Sequence, residues 1–548
     1  MPAPSRTAVE PSGDTVPPGP DVIRPRHVVP TSVDALAARI AEATGTPPDL
    51  RGDPSATVTG ASLRAHEVAP GELFAAVPGA RAHGADFAAQ ALGRGAAAVL
   101  TDPDGATRPA LASAAVPVLV HPRPREALGP ASALVFGDPS HRLALLGVTG
   151  TSGKTTTVYL LEAALAAAGA TTGLIGTVET RMHGRHVPSA FTTPEAPDLQ
   201  ALLAAMVEDG VSHTAMEVSS HALAQGRVDG SAYAVGAFTN LSAEHLDFHP
   251  TMEDYFAAKR RLFDGRSAAH VVCVDDAWGR RLADERHDRP LTTVSATGQD
   301  ADWTAADVVA HPDGTQTFRA LGPGDADLPV TLRLPGAFNV ANALVALGCG
   351  QAAGLDPARL APGFAQVAVP GRMQRVQAGQ PFLAVIDYAH KPAAVEALLT
   401  TLRAQVVQGE RSDGGGSGRV LTVLGCGGDR DREKRPVMGA LAADLSDLVW
   451  ITDDNPRTED PAAIRAAMLD GARASAHARA IVAEEGDRRA AIRAAVAAAR
   501  PGDVVVVAGK GHEPGQKVGA ETLPFSDVEE LDAALRASPT DPTPEDPA

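Results

Sequence analysis

The fold is decided by one stretch, Leu143-Ala144-Leu145-Leu146-Gly147-Val148-Thr149-Gly150-Thr151-Ser152-Gly153-Lys154-Thr155-Thr156-Thr157. An apolar strand leads into a glycine-rich turn, and a helical run follows. Such a turn can curl its N–H groups around a polyphosphate, while Lys154 reaches the terminal phosphates and Thr155 ligates Mg²⁺. A turn without a ligand is the alternative, but it leaves the joined Gly-Lys-Thr unexplained. We predict that ATP is bound by Gly150, Thr151, Ser152, Gly153, Lys154, Thr155 and Thr156.

On both sides of this loop, apolar segments alternate between two periodicities. Short β-branched runs such as 504–507 are typical of buried strands, and stretches such as 488–499 are typical of helices. The alternation predicts an α/β protein with largely parallel sheets. Turn-forming residues near 140 and 370 suggest two boundaries, and the glycine-rich segment 409–418 suggests a flexible surface loop. The predicted organisation is a disordered tail at 1–30, domains at 31–140, 141–370 and 371–537, and a second tail at 538–548.

Composition excludes several classes of protein. The chain has 548 residues, with 48 basic and 66 acidic side chains and a net charge of −18. General affinity for nucleic acid or anionic membrane requires a basic surface, so this charge argues against both. Three cysteines without a C-x-x-C pair, no bilayer-length apolar run and no signal peptide predict a cytoplasmic protein without membrane insertion. Only six basic residues are lysines, so a lysine is expected to mark a position that needs a primary amine.

The phosphate loop and eight further blocks resemble, in order and content, the Mur ligases, the ATP-dependent amino-acid-adding enzymes of peptidoglycan precursor synthesis. The resemblance covers residues 31–535. It implies an N-terminal UDP-binding α/β domain, a central P-loop ATPase domain with a parallel sheet, and a C-terminal Rossmann-like α/β domain. The eight blocks are Met216-Glu217-Val218-Ser219-Ser220-His221, residues 240–247, Ala257-Ala258-Lys259, Gly336-Ala337-Phe338-Asn339, residues 387–392, residues 425–431, Asp453-Asp454-Asn455-Pro456-Arg457 and Gly509-Lys510-Gly511-His512-Glu513.

The resemblance implies that the glutamyl carboxylate of a UDP-muramoyl dipeptide attacks the γ-phosphate of ATP and forms an acyl phosphate. Because both reactants are anionic, metal ions and cationic groups must bring them together. The Mg²⁺ ligands implied are Thr155, Glu217, His245 and a carbamate that CO₂ forms on Lys259. Without the resemblance, Glu217 could be a solvated strand end, His245 a capping or core histidine, and Lys259 a solvated helix residue. The predicted catalytic residues are Lys154, Lys259, Glu217 and His245.

Two further substrate regions follow from the resemblance. Asn339 matches a position that hydrogen-bonds the adenine edge, with a buried structural network as the alternative, and Arg372 reaches the phosphates from the second boundary. Leu63 and Ala65 belong to the uridine region, but Ala65 replaces a serine, so that hydroxyl contact is lost or replaced. Gln374 likewise replaces a family glutamate. The muramoyl dipeptide and pyrophosphate are assigned to Thr192, Thr193, Ser219, Gln225 and Arg227, next to Phe191, which stands where some relatives carry Asn.

The block that ends in Arg457 resembles the branch of the family that adds meso-diaminopimelate. This amino acid has a distal carboxylate and a distal ammonium, whereas lysine has only the ammonium. Arg457 can offer a fork to the carboxylate, Arg430 a second donor, and Glu513 can accept from the ammonium. A simple turn would explain the Asn-Pro pair but not an Arg fork beside loop 509–513. The predicted amino-acid site is Arg430, Asp454, Asn455, Pro456, Arg457, Gly509 and Glu513.

The resemblance therefore implies an ATP-dependent ligase that adds meso-diaminopimelate to UDP-N-acetylmuramoyl-L-alanyl-D-glutamate. Its cofactors would be ATP, Mg²⁺ and the carbamate on Lys259. Its partners would be these small molecules alone, without nucleic acid, and the protein would be a monomer. The alternatives are addition of L-lysine, a folylpolyglutamate synthase-like ligase, and a P-loop motor or nucleotide-gated binding protein. A folylpolyglutamate synthase has no uridine-binding domain, so residues 31–140 argue against it.

Overall fold

The computed structural model describes residues 23–79, 81–187, 192–285, 288–408 and 418–537. Three α/β sheets follow one another along these ranges, each with its own helices. The predicted α/β class is confirmed. Residues 1–22 and 538–548 of the predicted tails, and residues 409–417 of the predicted surface loop, lie outside the described ranges.

The first sheet comes from short strands before residue 121. The elements are β1 (Thr31–Ser32), α1 (Val33–Thr44), β2 (Asp49–Arg51), β3 (Thr57–Val58), β4 (Ala61–Ser62), β5 (Leu73–Ala76), α2 (Ala88–Gly93), β6 (Ala98–Thr101), α3 (Pro109–Ala112), β7 (Val118–Val120) and α4 (Pro124–Val135). The sheet has the order β2-β7-β6-β5-β4, and β1 pairs separately with β3. Only β2 runs antiparallel within the five strands.

The central sheet has eleven strands. Its elements are β8 (Ala144–Thr149), α5 (Lys154–Ala167), β9 (Thr172–Ile175), β10 (Thr180–Met182), β11 (Arg185–Val187), α6 (Ala196–Glu208), β12 (His213–Glu217), α7 (Ser220–Ala224), β13 (Tyr233–Phe238), α8 (Met252–Arg260), β14 (Ser267–Cys273), α9 (Ala277–Glu285), β15 (Leu291–Ser295), β16 (Trp303–Ala310), β17 (Gln316–Gly322), β18 (Ala326–Leu332), α10 (Ala337–Ala352) and α11 (Pro357–Leu360). The order is β11-β10-β9-β12-β8-β13-β14-β15-β16-β17-β18. The predicted parallel sheet is its middle, from β9 to β16, and antiparallel strands extend both edges.

The last sheet has six strands and five helices around it. Its elements are β19 (Gln374–Arg375), β20 (Leu383–Asp387), α12 (Pro392–Gln408), β21 (Val420–Cys426), α13 (Lys434–Leu445), β22 (Leu448–Asp453), α14 (Pro461–Ala474), β23 (Ile481–Glu484), α15 (Arg488–Ala498), β24 (Val504–Ala508), β25 (Gly515–Val518), β26 (Glu521–Pro524) and α16 (Asp527–Ala537). The order is β19-β20-β24-β21-β22-β23, parallel except for β19. A separate hairpin joins β25 and β26.

Helices cover both faces of the central sheet, which is why its strands read as continuous apolar runs. Successive strand side chains point to opposite faces, so Leu145 and Leu146, both 0% exposed, belong to different cores. Leu146 packs with Val158 of α5 and Leu344 of α10, and Leu145 packs with residues of α6 and α8. The chain leaves β8 for β9 on one side and later returns to β13 on the other, so the strand order reverses at β8. Ligands of such sheets bind at the carboxyl ends of the strands at this point.

Residues 23–30, which the sequence assigned to the disordered tail, contact the body of the protein. Arg24 donates to both oxygens of Glu72, at 2.7 Å and 3.1 Å. The backbone N–H groups of Arg26 and His27 donate to the carboxylate of Glu208 at 2.7 Å and 2.8 Å. The composition of this segment suggested disorder. Because it is hydrogen-bonded to these two carboxylates, the folded chain begins before residue 31. Within the described ranges, no helix combines the length and apolarity needed to cross a bilayer.

Candidate active site

The phosphate loop leaves the middle of the central sheet. β8 ends at Thr149 and α5 begins at Lys154, so the first N–H groups of α5 face the crevice at the strand reversal. Gly150 and Gly153 have φ of 149° and 86°. A Cβ added to Gly150 would overlap Thr239 Oγ1. Both the backbone conformation and the lack of space therefore require glycine in this loop.

Two lysines meet at one backbone oxygen of the phosphate loop. Lys154 Nζ donates to Gly150 O at 2.9 Å and to Thr151 O at 2.7 Å, and Lys259 Nζ donates to Gly150 O at 2.6 Å. Lys259 is 1% exposed, so it is not the solvated helix residue that the alternative interpretation described. Burial lowers the pKa of both amines, and the charge of Lys154 lowers the pKa of Lys259 further. Lys259 thus joins the phosphate loop from a helix that begins about a hundred residues later.

Glu217, at the end of β12, is 1% exposed and is therefore not a solvated strand end. Its carboxylate accepts a hydrogen bond from Thr155 Oγ1 at 3.1 Å and another from the N–H of Thr177 at 2.7 Å. Magnesium in nucleotide sites commonly takes one or two protein oxygens and completes its shell with phosphates and water. The adjoining Thr155 hydroxyl and Glu217 carboxylate fit that requirement. In the described ranges, no group of three or more His, Cys, Asp or Glu side chains could hold a metal ion unaided.

His245 lies in the loop between β13 and α8 with a left-handed φ of 56°. Its ring meets His221 edge-on, with 4.7 Å between ring centres, and its Nε2 lies 3.6 Å from Glu244 Oε1. Burial lowers the pKa of His245 to about 4, so the imidazole is neutral near pH 7 and can bind a metal. The side chain is 38% exposed, which excludes a core histidine. His245 and Glu217 do not belong to one preassembled metal cluster within the described ranges.

Four residues predicted to hold the muramoyl dipeptide converge at the end of β12. Thr193 Oγ1 donates to Glu217 O at 2.9 Å and accepts from the N–H of Ser219 at 3.2 Å. Arg227 Nη1 donates to Thr193 O at 3.3 Å, and its Nε donates to Gln225 Oε1 at 3.0 Å. The substrate residues and the candidate metal ligand Glu217 therefore form one connected network.

Gln225 and Arg227 also line a cavity of about 1060 Å³ between the first and central sheets. Glu195 on its wall pairs with Arg125 at 2.7 Å and with Arg227 at 3.1 Å. The cavity is wide enough for a nucleotide sugar, and five arginines face four carboxylates on its wall. Thr192 is half-buried nearby, and Phe191 lies outside the described residues. The arginines on the cavity wall are Arg39, Arg125, Arg227, Arg261 and Arg266.

The uridine region offers little polar contact at the predicted positions. Ala65 is 7% exposed and packs in a core with Phe74, while Leu63 packs partly buried against another core cluster of the first sheet. Ala65 is thus a core residue, and the serine hydroxyl contact is lost at this position. Arg64, between them, donates from both terminal nitrogens to Asp198 at 3.0 Å each. This bidentate pair ties the first sheet to the start of α6.

Asn339, at the start of α10, is 1% exposed and serves a structural network. Its Nδ2 donates to Pro335 O at 2.7 Å, and its Oδ1 accepts from Asn342 Nδ2 at 3.0 Å. Asn342 Oδ1 accepts in turn from Thr157 Oγ1 of α5 at 3.3 Å. The structural network is therefore present. An amide has two N–H donors and two acceptor lone pairs, so these bonds leave capacity at both ends, and the adenine contact stays a prediction.

Arg372 stands at the junction between the central and last sheets. Its guanidinium carbon lies 4.6 Å from the centre of the Tyr388 ring. Among the described residues, its buried Nε has no hydrogen-bond partner. After burial itself, the charges of Arg372 and Lys391 also lower the pKa of Lys154, which places both in the field of the phosphate loop. Gln374, which replaces a family glutamate, accepts from the N–H of Gly371 at 2.7 Å and stabilises the turn at the junction.

The predicted amino-acid residues lie at one edge of the last sheet, where parallel strands end side by side. Asp454 and Asn455 follow β22, and Gly509 and Glu513 follow β24. Asn455 Nδ2 donates to Glu513 Oε2 at 2.8 Å. Gly509 has a φ of 116°, and a Cβ there would lie 3.2 Å from Asp454 Oδ2. The fold thus brings together two segments more than fifty residues apart.

Arg457 approaches the same edge from a strained turn. Its φ is 53°, and its Nη1 donates to Gly428 O in the loop after β21 at 2.7 Å. Pro456 O accepts from the N–H of Glu459 at 3.1 Å, so the segment is indeed a turn. Arg430 is exposed on the loop that also carries Gly428. The turn of the alternative interpretation is therefore present, and the binding of a carboxylate by Arg457 stays a prediction.

Three residues without a predicted role also contact these sites. Lys391 forms an ion pair with Glu244 across the cleft between the last and central sheets. Tyr388 donates from its hydroxyl to Glu513 Oε1 at 3.3 Å. Lys510 is 0% exposed beside Asn455. The scarcity of lysine was a signal for Lys391 and Lys510, but no sequence signal connected Glu244 with a residue 147 positions later.

A phosphate loop at a strand reversal, with a buried carboxylate beside it and a charged sheet edge across a cleft, defines a multidomain nucleotide-dependent enzyme. Three family models match the chain: "Mur ligase family, catalytic domain" at 57–134, "Mur ligase middle domain" at 148–350 and "Mur ligase, glutamate ligase domain" at 371–511. The chain belongs to the Mur ligase family.

Individual relatives extend over nearly the whole chain. It is 54% identical over 476 residues to UDP-N-acetylmuramoyl-L-alanyl-D-glutamate--2,6-diaminopimelate ligase of Corynebacterium efficiens, covering 86% of this chain and 88% of the relative. The ligase of the same name from Streptomyces avermitilis is 51% identical over 514 residues, with 93% and 97% covered. A solved structure of a ligase of this name has 32% identity and a TM-score of 0.65, covering 92% of this chain and 99% of that one.

Proposed function

We propose that this protein is an ATP-dependent ligase that adds meso-diaminopimelate to UDP-N-acetylmuramoyl-L-alanyl-D-glutamate in peptidoglycan precursor synthesis. Relatives at 54% and 51% identity are named for this reaction. The observation that carries the proposal is the set of charged residues at the edge of the last sheet. There, the Arg457 segment adjoins the carboxylates of Asp454 and Glu513, an arrangement suited to an amino acid with a distal carboxylate and a distal ammonium.

The phosphate loop would perform the first step. Lys154 and the N–H groups at the start of α5 hold the γ-phosphate, and Arg227 orients the dipeptide. The glutamyl carboxylate attacks the γ-phosphorus, and ADP leaves with the electron pair of the broken bond. The amino group of meso-diaminopimelate then attacks the acyl carbon, loses a proton and expels inorganic phosphate. The reactants are anionic in both steps, which accounts for the cations on both sides of the cleft.

Thr155 and Glu217 would hold Mg²⁺, because their oxygens adjoin at 3.1 Å in the crevice at the start of α5. A magnesium ion there neutralises phosphate charge and favours in-line transfer. His245 is a further candidate ligand, since its lowered pKa keeps the ring neutral.

Lys259 would carry the carbamate. Its nitrogen adds to CO₂ and releases a proton, a reaction that only the neutral amine performs. Burial and the neighbouring Lys154 lower the pKa of Lys259, which supports this role. The modification would convert a buried cation into an anion, and so reverse the charge that Lys259 presents to the phosphate loop.

The alternatives are less well supported. L-Lysine lacks the carboxylate that an Arg457 fork would bind. A folylpolyglutamate synthase-like ligase is disfavoured because the Mur ligase model at 57–134 and the diaminopimelate ligases match the chain from its first sheet onward. No contact or motif described above favours a P-loop motor or a nucleotide-gated binding protein.

We further propose a cytoplasmic monomer that acts on small molecules alone. Domain boundaries near 140 and 370 are supported by the order of elements, since they fall between β7 and β8 and between α11 and β19. The 48 basic against 66 acidic residues disfavour nucleic acid as a partner.

The decisive experiment is an amino-acid panel. Purified protein receives ATP, Mg²⁺ and the UDP-dipeptide with meso-diaminopimelate, L-lysine or no amino acid, and product mass and phosphate release are measured. We expect one tripeptide product per phosphate with meso-diaminopimelate, and none after EDTA treatment. Better use of L-lysine would refute the assignment, and phosphate release that depends on a protein or nucleic acid instead would indicate a motor.

A further inference from the structure

The amino-acid site contains a buried cation that the proposed reaction does not use. Lys510 is 0% exposed, although lysine is rarely buried without partners. Its Nζ donates to Asn455 Oδ1 at 3.0 Å. It also lies 3.4 Å from Glu513 Oε2 and 3.6 Å from Asp454 Oδ1. All three contacts are to oxygen atoms of residues predicted to bind the amino acid.

The two carboxylates around Lys510 are only partly compensated. Asp454 is 5% exposed, and its Oδ1 accepts no hydrogen bond from any described residue. A buried carboxylate oxygen without a donor is costly, so it has capacity for a further donor. Lys510 supplies one positive charge against two negative ones. The pair can therefore accept one substrate ammonium, but it is less attractive to cations than two free carboxylates would be.

A second buried cation nearby is already neutralised. Arg488 donates from Nε and Nη2 to the two oxygens of Asp527 at 2.7 Å and 2.8 Å, and both side chains are 0% exposed. Burial lowers the pKa of Arg488, but the net shift is upward. The largest upward effect comes from the carboxylate of Asp527, and the charges of Asp454 and Glu513 add to it. Asp527 pairs with the Arg488 guanidinium, and Arg457 donates to Gly428 O instead of to either carboxylate. Among the described residues, Lys510 is therefore the cation within 4 Å of the carboxylates of both Asp454 and Glu513.

We propose that Lys510 determines amino-acid specificity by setting the charge of this pocket. This inference rests on the proposed function, since it assumes that the distal end of the amino acid lies at residues 454–457 and 509–513. The distal end of meso-diaminopimelate carries no net charge, whereas that of lysine carries one positive charge. A buried positive charge beside the distal end therefore penalises lysine more than meso-diaminopimelate, and the low dielectric enlarges the difference.

The test compares two amino acids on one set of variants. Lys510→Met removes the charge and keeps an unbranched side chain. We expect the ratio of kcat/KM for meso-diaminopimelate to that for L-lysine to fall by about tenfold or more. Lys517→Met is the matched control, because it removes a lysine whose side chain is exposed in the following hairpin. Its ratio should equal that of the wild type.

Asp454→Asn provides the opposite charge change. It removes a negative charge at an atom that accepts no hydrogen bond from the described residues, and it preserves the shape of the side chain. We expect the same ratio to rise above the wild-type value. If Lys510→Met fails to fold, as judged by its thermal unfolding, Lys510→Gln replaces it in the same comparison.

The outcomes separate this inference from the proposed function. A ratio that falls in folded Lys510→Met and rises in Asp454→Asn supports the proposal. An unchanged ratio in either folded variant, including equal losses for both amino acids, would mean that Lys510 is only structural and would overturn it. If the wild type uses meso-diaminopimelate, those failures leave the proposed function intact. A wild-type enzyme unable to use meso-diaminopimelate would refute both proposals.

Discussion

Lys259 and Lys154 share the carbonyl oxygen of Gly150, and two ammonium groups would repel each other at such a distance. Burial lowers the pKa of each amine, and the charge of Lys154 lowers the pKa of Lys259 further. Conversion of Lys259 to a carbamate would replace the repulsion by attraction. Lys154 would then remain the cation that faces the phosphates.

Replacement of Lys259 by alanine should lower kcat by about 100-fold, because a group that orients the metal is lost. Short carboxylic acids should restore part of the activity, since they supply the missing carboxylate. Lys259→Arg keeps a cation but cannot form the carbamate, so it should be as inactive as the alanine variant. Phosphate release and product mass measure both effects. Substantial activity of Lys259→Arg would contradict the carbamate.

Arg457→Lys should lower kcat/KM for meso-diaminopimelate by about 10- to 100-fold, because an ammonium cannot offer the planar fork that a carboxylate accepts from arginine. The KM for ATP should change little, since Arg457 contacts Gly428 in the last sheet and not the phosphate loop. Steady-state kinetics with each substrate varied in turn provide the measurement. Equal use of meso-diaminopimelate by the variant and the wild type would contradict the fork.

At the scale of elements, the loop between β8 and α5 leaves no space for a side chain at Gly153. Gly153 directly precedes α5 and has a φ of 86°, and a Cβ there would overlap Asn342 Oδ1 of α10. The amide of Asn342 is already held by Asn339 and Thr157. The close packing of α10 on the loop thus depends on the absence of a side chain at Gly153.

Gly153→Ala should therefore lower the free energy of unfolding by at least about 1–2 kcal/mol and raise the KM for ATP by about tenfold. Gly169→Ala is a matched control at the other end of α5. Its φ is 96°, but a Cβ there meets only the end of the Arg359 side chain, at 3.3 Å. The control should lose similar stability without a change in KM. Denaturant unfolding and ATP kinetics distinguish the two effects. An unchanged KM for ATP in Gly153→Ala would contradict the role of this loop in binding ATP.

At the scale of the whole molecule, ion pairs join each outer sheet to the central one. One of them is Arg375 of β19 with Asp313, at 3.7 Å. The bidentate pair Arg64–Asp198 fixes the first sheet to the central one. The Glu244–Lys391 pair joins the central sheet to the last one, beside the phosphate loop. Lys391 is 36% exposed, so this second contact is worth only about 1 kcal/mol and salt screens it. The last domain is consequently the one expected to open and close on substrates.

Lys391→Met should shift the nucleotide-free protein toward open arrangements by about fivefold, the factor that 1 kcal/mol provides. Small-angle scattering should show a larger radius of gyration at low salt, and added salt should produce the same change in the wild type. Arg64→Met breaks the other pair and should leave the position of the last domain unchanged. Identical scattering from Lys391→Met and the wild type at low salt would show that the pair does not hold the domain.

Much of the architecture was predictable because it rests on local interactions. The run 143–157 encodes a strand, a turn and a helix through apolar periodicity and glycine, and the structure has β8 and α5 there. The helix predicted at 488–499 is α15 to within one residue. The antiparallel edges β10–β11 and β17–β18 were not predicted, since alternation of elements does not reveal strand direction.

The roles of the predicted site residues stay predictions, and the fold decides which of these residues lie together. Asp454 and Glu513 lie at one edge because both follow parallel strands that end there, and motif order anticipates this. The hydrogen bonds of Asn339 with Pro335 and Asn342 could not be predicted from its motif, because they depend on how α10 packs. Residues 23–30 had the composition of a tail, but they contact Glu72 next to β5 and Glu208 at the end of α6.

The sequence by itself determined the phosphate loop, the α/β class and the scarcity of lysine, because these depend on residue type and short-range spacing. The tertiary structure alone decided that Lys259 reaches Gly150 and that Lys391 pairs with Glu244. It also decided that Lys510 lies between Asp454 and Glu513. Those contacts depend on strand order and on which loops share a sheet edge, and burial then sets the strength of each charge.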